Sequence, residues 1–181
     1  MRVIPHSLLV FFLTVLSAAP LHASGDAETS VKAAIMHKIA KFVAWPPDAF
    51  ASDSEAMRFC VAGDRNMLSA ITALADERIH GRMVEAVDVR LPADAAENCD
   101  VLFFGENAEG DAQAWTSAIA ERPVLTFGDA DGYASDGSIV RVMIRRNKVR
   151  FEINLDANER TGLRIGGQLL QLAAAVGGRS G

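Results

Sequence analysis

The chain has 181 residues, of which 50% are hydrophobic, and its 18 basic residues against 23 acidic ones give a formal net charge of −5 at pH 7. This length and hydrophobic content suit a single domain with a sizeable core. An acidic chain without a basic stripe repels phosphate backbones and anionic lipid headgroups, so nucleic-acid binding is disfavoured as a function.

The N-terminus has the pattern of a secretory signal peptide. Arg2 supplies a positive end, an apolar run from Leu8 to Leu16 follows, and small residues lead to Ala23. The pattern predicts cleavage after Ala23, with an uncleaved anchor as the alternative. Cleavage removes residues 1–23, leaving 24–181 as one domain with 17 basic and 23 acidic residues and no direct membrane insertion.

Both cysteines, Cys60 and Cys99, lie in the part predicted to be secreted. An oxidising compartment favours a disulfide between them, and two separately buried thiols are the alternative. A metal site is disfavoured because two cysteines without a nearby histidine pair cannot complete a tetrahedral shell.

The first element after the predicted cleavage site is a helix, which Pro46-Pro47 ends. Its predicted buried stripe consists of Val31, Ala34, Ile35, Ile39, Phe42 and Trp45. His37 and Lys41 fall off this stripe, on the side predicted to be exposed.

Alternating strands and helices follow. The apolar run 57–61 predicts a buried strand, and Asp64 or Asn66 caps a helix carried by Met67, Leu68, Ile71 and Leu74. We predict further strands at 82–91, 100–104 and 123–127 and a helix at 111–122. The run at 100–104 is nearly all apolar, which indicates a central strand covered on both faces.

The C-terminal region begins with a predicted antiparallel hairpin, with strands at 139–145 and 149–155 joined by a turn at 146–148. From Ile165 the period changes to that of a helix, with apolar residues at Ile165, Leu169, Leu172 and Val176. This stripe predicts a terminal helix packed on the sheet, and Gly166-Gly167 allow it to approach another backbone closely.

These elements predict a single α/β domain. Its mixed β-sheet is parallel in its first part and antiparallel at one edge, with helices on both faces, and the C-terminal antiparallel hairpin is followed by a packed helix.

The sequence contains few residues that could carry out catalysis. Only His37 and His80 survive the predicted cleavage, which leaves little for a histidine-centred triad or a zinc site. The acidic, glycine-rich stretch from Asp129 to Ser138 matches neither a calcium loop nor a phosphate loop, and a plain turn-rich loop is the favoured interpretation. We expect no catalytic residue, metal or cofactor.

Several motifs together resemble the YfiR family of secreted bacterial proteins. They are F-E-I-N-L-D-A at 151–157, the following G-L and Q-L-L-Q-L-A, A-K-F-V-A-W-P at 40–46, the pair Cys60 and Cys99, and G-Y-A-S-D-G at 132–137. The resemblance covers nearly all of the chain beyond Ala23. Ala134 and Arg141 stand roughly where the best-known member has a second disulfide, which predicts a looser loop here.

The resemblance implies a non-catalytic periplasmic regulator. Such a protein would bind the periplasmic domain of a membrane-anchored diguanylate cyclase and repress it, controlling cyclic-di-GMP signalling and biofilm formation. A homodimer has a precedent in the family, and this sequence neither supports nor excludes one. A periplasmic protein that binds or senses a small ligand in the cleft at Asp129–Ser138 is the alternative.

Five residues are candidates for partner contact. Glu152 and Asn154 share one face of the last hairpin strand, followed by Leu155, and in an alternative interpretation they fix the corner to the terminal helix by hydrogen bonds. Trp45 and Pro46 form a rigid, partly apolar corner of the kind that interfaces use, although Trp45 also suits the core.

Overall fold

The computed structural model describes residues 23–105, 107–108, 112–128, 137–146 and 148–177. The predicted signal peptide therefore lies outside the described residues except for Ala23, where the first helix begins. Within the described ranges, no helix combines the length and the apolar character needed to cross a bilayer.

The described elements alternate between helices and strands. The helices are α1 (Ala23–Ala40), α2 (Arg65–Thr72), α3 (Pro92–Asn98), α4 (Ala112–Ala118), α5 (Leu155–Asn158) and α6 (Gly167–Leu172). The strands are β1 (Val43–Ala44), β2 (Met57–Ala62), β3 (Arg78–Ile79), β4 (Arg82–Asp88), β5 (Val101–Phe104), β6 (Leu125–Gly128), β7 (Val140–Arg145), β8 (Lys148–Asn154), β9 (Arg164–Ile165) and β10 (Ala175–Gly177).

The main sheet has the order β10-β8-β7-β6-β5-β2-β4-β3, and β1 and β9 form a separate antiparallel pair. Strands β4, β2, β5, β6 and β7 are mutually parallel, whereas β8 runs antiparallel to β7 and β3 antiparallel to β4. The predicted mixed sheet with its antiparallel C-terminal hairpin is therefore confirmed.

Alternate residues of the central strands enter two different cores. On β2, Phe59 and Val61 pack into a cluster with α1 and α2 residues, whereas Cys60 and Ala62 pack with Trp115 of α4. This alternation follows from the two-residue period of a strand, and it requires helices on both sides of the sheet. The apolar run at β5 is buried throughout for the same reason.

The junction between α3 and β5 is held against β2 by covalent and polar contacts. Cys60 and Cys99 form the predicted disulfide, with Cα atoms 5.6 Å apart. The next residue, Asp100, accepts a hydrogen bond from the Arg58 main-chain nitrogen at 2.7 Å. Burial raises the pKa of the Asp100 carboxyl, and the Arg58 main-chain hydrogen bond and guanidinium oppose that shift.

Helix α1 differs from its predicted form. It ends at Ala40, so Phe42 and Trp45 lie beyond it, and Phe42 and Val31 are exposed. The buried face consists of Ala33, Met36, His37, Ile39, Ala40. The prediction that His37 faces solvent is wrong, since only 5% of it is accessible. The predicted stripe was right at Ile39 but omitted Ala33, Met36 and Ala40, which lie in the core.

The C-terminus also differs. Helix α6 ends at Leu172, and the chain continues as β10, which pairs in parallel with β8 at the sheet edge. Leu172 and Val176, predicted to be buried, are 69% and 45% exposed. Gly166 does allow a close approach, since a Cβ there would lie 2.9 Å from Phe42 O, whereas Gly167 has open space around it. Helix α3 and strand β3 were not predicted.

Candidate partner-binding surface

Trp45 lies in an aromatic cluster at one edge of the domain. It follows β1, whose pairing with β9 sets the direction of the chain into Pro46. The Trp45 ring centroid is 6.4 Å from that of Phe50 and 6.3 Å from that of His80, the latter in an edge-on arrangement. Such tilted contacts between rings stabilise a fixed arrangement of aromatic side chains.

The β3–β4 hairpin brings His80 into this cluster. His80 has a φ of 51° and Gly81 a φ of 84°, so the turn uses the left-handed region that glycine adopts without cost. The His80 Nε2 lies 2.8 Å from Val43 O. Because a carbonyl oxygen only accepts, Nε2 carries the proton, and this hydrogen bond connects the hairpin to β1.

Arg82 holds the loop opposite Trp45. Its guanidinium carbon lies 3.8 Å from the Phe50 ring centroid, a cation–π contact, and its terminal nitrogen donates to Ser52 O at 2.6 Å and Glu55 O at 2.9 Å. The guanidinium therefore bridges the start of β4 and the loop between β1 and β2.

Between these side chains lies a cleft of about 420 Å³, which we call the aromatic cleft; its walls include Trp45, Pro46, Pro47, Phe50, His80 and Arg82. The Trp45 Nε1 is buried, and no group in the described part of the chain accepts its proton. An unpaired buried donor costs about 1–3 kcal/mol, which a carbonyl or hydroxyl oxygen would recover if the indole ring shifted to expose Nε1.

Glu152 and Asn154 are used within the fold. Both lie on β8 between β7 and β10. The Glu152 carboxylate lies 3.4 Å from the guanidinium of Arg141, which is only 6% exposed. Asn154 caps α5, its side-chain oxygen accepting from Ala157 N at 3.1 Å. Asn154 therefore fixes the corner after β8, whereas Glu152 pairs across the sheet with β7, and neither contact involves the terminal helix α6 as the alternative interpretation predicted.

Leu155 begins α5 at that corner and is 37% exposed. From α5, the chain passes through Asn158, whose side-chain amide donates to Leu163 O at 3.1 Å, and then enters β9. A Cβ placed on Gly162 would lie 3.4 Å from Pro46 Cγ, so this segment reaches the wall of the aromatic cleft. The chain from α5 to β9 thus connects the two groups of candidate residues.

Phe50, His80 and Arg82 line the cleft but were not among the candidates. They lie in segments that strand pairing brings to Trp45, and sequence spacing alone carried no signal for that. The glycine after His80 predicted a turn but not its neighbours. The proposed ligand loop at Asp129–Ser138 lies outside the described residues as far as residue 136.

Within the described ranges, no three histidine, cysteine, aspartate or glutamate side chains come together as metal ligands. His37 is buried on α1 and His80 bonds to the backbone of Val43, so each occupies a structural position.

A solved structure resembles this fold. The crystal structure of a conserved domain protein from Vibrio cholerae O1 biovar El Tor strain N16961 superposes with a TM-score of 0.52 at 14% sequence identity, over 82% of this chain and 60% of that protein. The chain thus spans about 60% of that protein's length, and the likeness concerns the fold alone.

The sequence itself matches the model of the YfiR/HmsC-like family over residues 29–174, which includes every strand up to β9, helices α2 to α6, and both parts of the candidate surface. The match covers most of the chain and agrees with the fold. The chain belongs to the YfiR/HmsC-like family.

Proposed function

We propose that this protein is a non-catalytic periplasmic regulator that binds the periplasmic domain of a membrane-anchored diguanylate cyclase and represses it. Family membership across residues 29–174 carries the proposal, because it supports a regulator of diguanylate cyclase signalling in general. Repression lowers cyclic-di-GMP and with it biofilm formation, and a signal that breaks the contact raises both.

The energetic requirement of this function is differential binding. A partner shifts the equilibrium between inactive and active cyclase only by the difference between its affinities for the two forms. Holding the cyclase 99% inactive when it would otherwise be 99% active needs a preference of about 5.5 kcal/mol. A surface with a rigid aromatic centre suits this, since aromatic anchors dominate binding energy at interfaces.

The candidate residues divide into two roles within this proposal. Trp45 and Pro46 contact the partner through the aromatic cleft, and a shift of the indole ring on binding lets the unpaired Nε1 of Trp45 donate to a partner oxygen. Leu155 contacts it from the exposed start of α5. Glu152 and Asn154 position Leu155 through the ion pair with Arg141 and the cap on α5.

Capture from detergent-solubilised membranes of the source bacterium tests the proposal. The tagged protein should recover a diguanylate cyclase identified by mass spectrometry, with and without reducing agent. Leu155→Asp should reduce recovery by at least about tenfold. Leu91→Asp is the matched control, because Leu91 is also exposed, at 52%, and precedes α3 at a position that favours aspartate. Recovery of no cyclase by the unaltered protein would refute the proposal.

Trp45→Phe separates the hydrogen bond from the packing. Phenylalanine retains an aromatic ring against Phe50 and His80 but has no N–H group, so it removes the unpaired buried donor. Unfolding stability should stay the same or rise, while cyclase recovery should fall. Unchanged recovery would exclude the indole N–H from the contact and leave the rest of the surface to be tested by Leu155→Asp.

A further inference from the structure

A second crevice lies at the far end of the sheet from the aromatic cleft. Arg82, at the cleft, begins β4, and Asp88, at this crevice, ends it six residues later. At about 3.3 Å per residue the two sites are separated by about 20 Å. The crevice has a volume of about 400 Å³, and its lining includes Asp64, Arg65, Asp88, Arg90 and Asn107. None of these residues has a part in the proposed cyclase contact.

The crevice occupies the switch point of the parallel sheet. From β2 the chain passes through α2 to β4 on one side, whereas from β5 it passes through α4 to β6 on the other. Residues of α2 pack in one core and residues of α4 in the other. The loops after β2 and β5 therefore diverge to opposite faces, and open α/β sheets bind ligands at the carboxyl ends of such a strand pair.

The base of the crevice is closed by contact between these two loops. Gly63 has a φ of 70°, and a Cβ at this position would overlap the main-chain nitrogen of Ala108. The loop after β2 thus rests directly on the loop after β5, and the open space lies above them, between the side chains of Arg65, Asp88 and Asn107.

The lining contains positively and negatively charged side chains that a ligand can reach. Arg65 is exposed at the start of α2. The Arg90 Nε lies 3.9 Å from the Asp88 carboxylate, and both side chains are mostly exposed, so this contact contributes little stability. Asp64 is committed elsewhere, since its side chain accepts from Met67 N at 2.9 Å and caps α2.

We propose that this crevice binds a free α-amino acid. The carboxylate of such a ligand pairs with Arg65 and Arg90, guanidinium groups that bind carboxylates through two parallel hydrogen bonds. Its ammonium group pairs with Asp88, and the Asn107 side chain supplies a donor and an acceptor. A simple anion would meet Asp64 and Asp88, and a simple cation would meet both arginines, so the mixed lining selects a ligand that carries both charges.

Isothermal titration of the purified, oxidised protein with each proteinogenic amino acid tests this inference without any cyclase, so its outcome is independent of the proposed function. At least one amino acid should bind saturably, whereas sodium acetate, inorganic phosphate and ammonium chloride should not. Binding of acetate or phosphate as tightly as the amino acid would replace the inference with a plain anion site. Absence of binding by every amino acid at about 10 mM would overturn it.

Variants that neutralise single charges test whether the amino acid binds in this crevice. Arg65→Gln and Asp88→Asn should each lower the affinity for the amino acid by at least about tenfold, because each removes one of the two complementary charges. Arg122→Gln and Glu85→Gln are matched controls at exposed positions outside the crevice and should bind normally. All four positions are on the surface, so circular dichroism should show an unchanged fold. Unaltered affinity in both Arg65→Gln and Asp88→Asn would overturn the assignment.

Discussion

Removal of the Cys60–Cys99 disulfide should strongly destabilise the domain. The bond joins β2 to the junction between α3 and β5 and closes a loop with a sequence separation of 39 residues. In the chain-entropy model, a loop of this length reduces the entropy of the unfolded chain by an amount equivalent to about 4 kcal/mol. That is a large share of the roughly 5–15 kcal/mol that stabilises a typical domain.

The double variant Cys60→Ala/Cys99→Ala is the appropriate test because it leaves no free thiol in the core. For a domain of this size, about 1 kcal/mol shifts the melting temperature by roughly 2–4 °C, so the expected decrease is about 10 °C. Thermal unfolding followed by circular dichroism measures it. The two side chains are 1% and 7% exposed, and the lost sulfur packing adds to the effect in the same direction.

Dithiothreitol separates the crosslink from the packing. Full reduction of the unaltered protein, verified by thiol titration, should reproduce most of the decrease in melting temperature, and the double variant should not respond to dithiothreitol. A fully reduced protein that melts within about 2 °C of the oxidised one would refute the loop-entropy reasoning.

Three further perturbations test other parts of the structure. Burial, followed by the charge of Lys41, lowers the pKa of His37 from its usual 6.5, so the unfolded chain binds the proton more readily. The free energy of unfolding should therefore decrease as the pH drops below about 6.5. In urea titrations at pH 7.5 and 5.5, His37→Gln should lose less stability between the two pH values than the unaltered protein does. Asn154→Ala removes the α5 cap and should cost about 1 kcal/mol in urea unfolding, whereas Asn154→Asp should retain most of that stability; equal losses would exclude capping. Gly63→Ala should lower the free energy of unfolding by more than about 3 kcal/mol or prevent folding, because the added Cβ meets main-chain atoms. Gly81 has a similar φ but open space around it, so Gly81→Ala should lower the free energy of unfolding by only about 1–2 kcal/mol. Equal losses in the two variants would contradict the close contact between the loops.

Local patterns predicted the central sheet. The apolar runs at β2 and β5, the cap at Asp64 and the β7–β8 hairpin depend on neighbours within a few residues, and all appear in the structure. The terminal helix was predicted too long because β10 pairs with β8, which lies about 20 residues earlier. Such non-local pairing overrides helical spacing, and it leaves Leu172 and Val176 exposed.

Burial was the harder property to predict for α1 and for the candidate surface. The predicted stripe on α1 included Ile39, which is buried, but it omitted Ala33, Met36, His37 and Ala40, which are buried as well. At the candidate surface, Trp45 and Pro46 could be selected from residue type alone. Phe50 and Arg82 lie beside them only because the β1–β2 loop and β4 are brought together in the fold, which the sequence did not predict. Glu152 and Asn154 have internal partners that only tertiary structure reveals.

The rate of cyclic-di-GMP formation in detergent-solubilised membranes tests the central claim most directly. Membranes are prepared from cells of the source bacterium that lack this protein, GTP is supplied, and the purified protein is titrated in. We predict a saturable decrease in the rate that Leu155→Asp abolishes and Leu91→Asp preserves. A rate that stays constant at saturating protein concentrations would contradict the account.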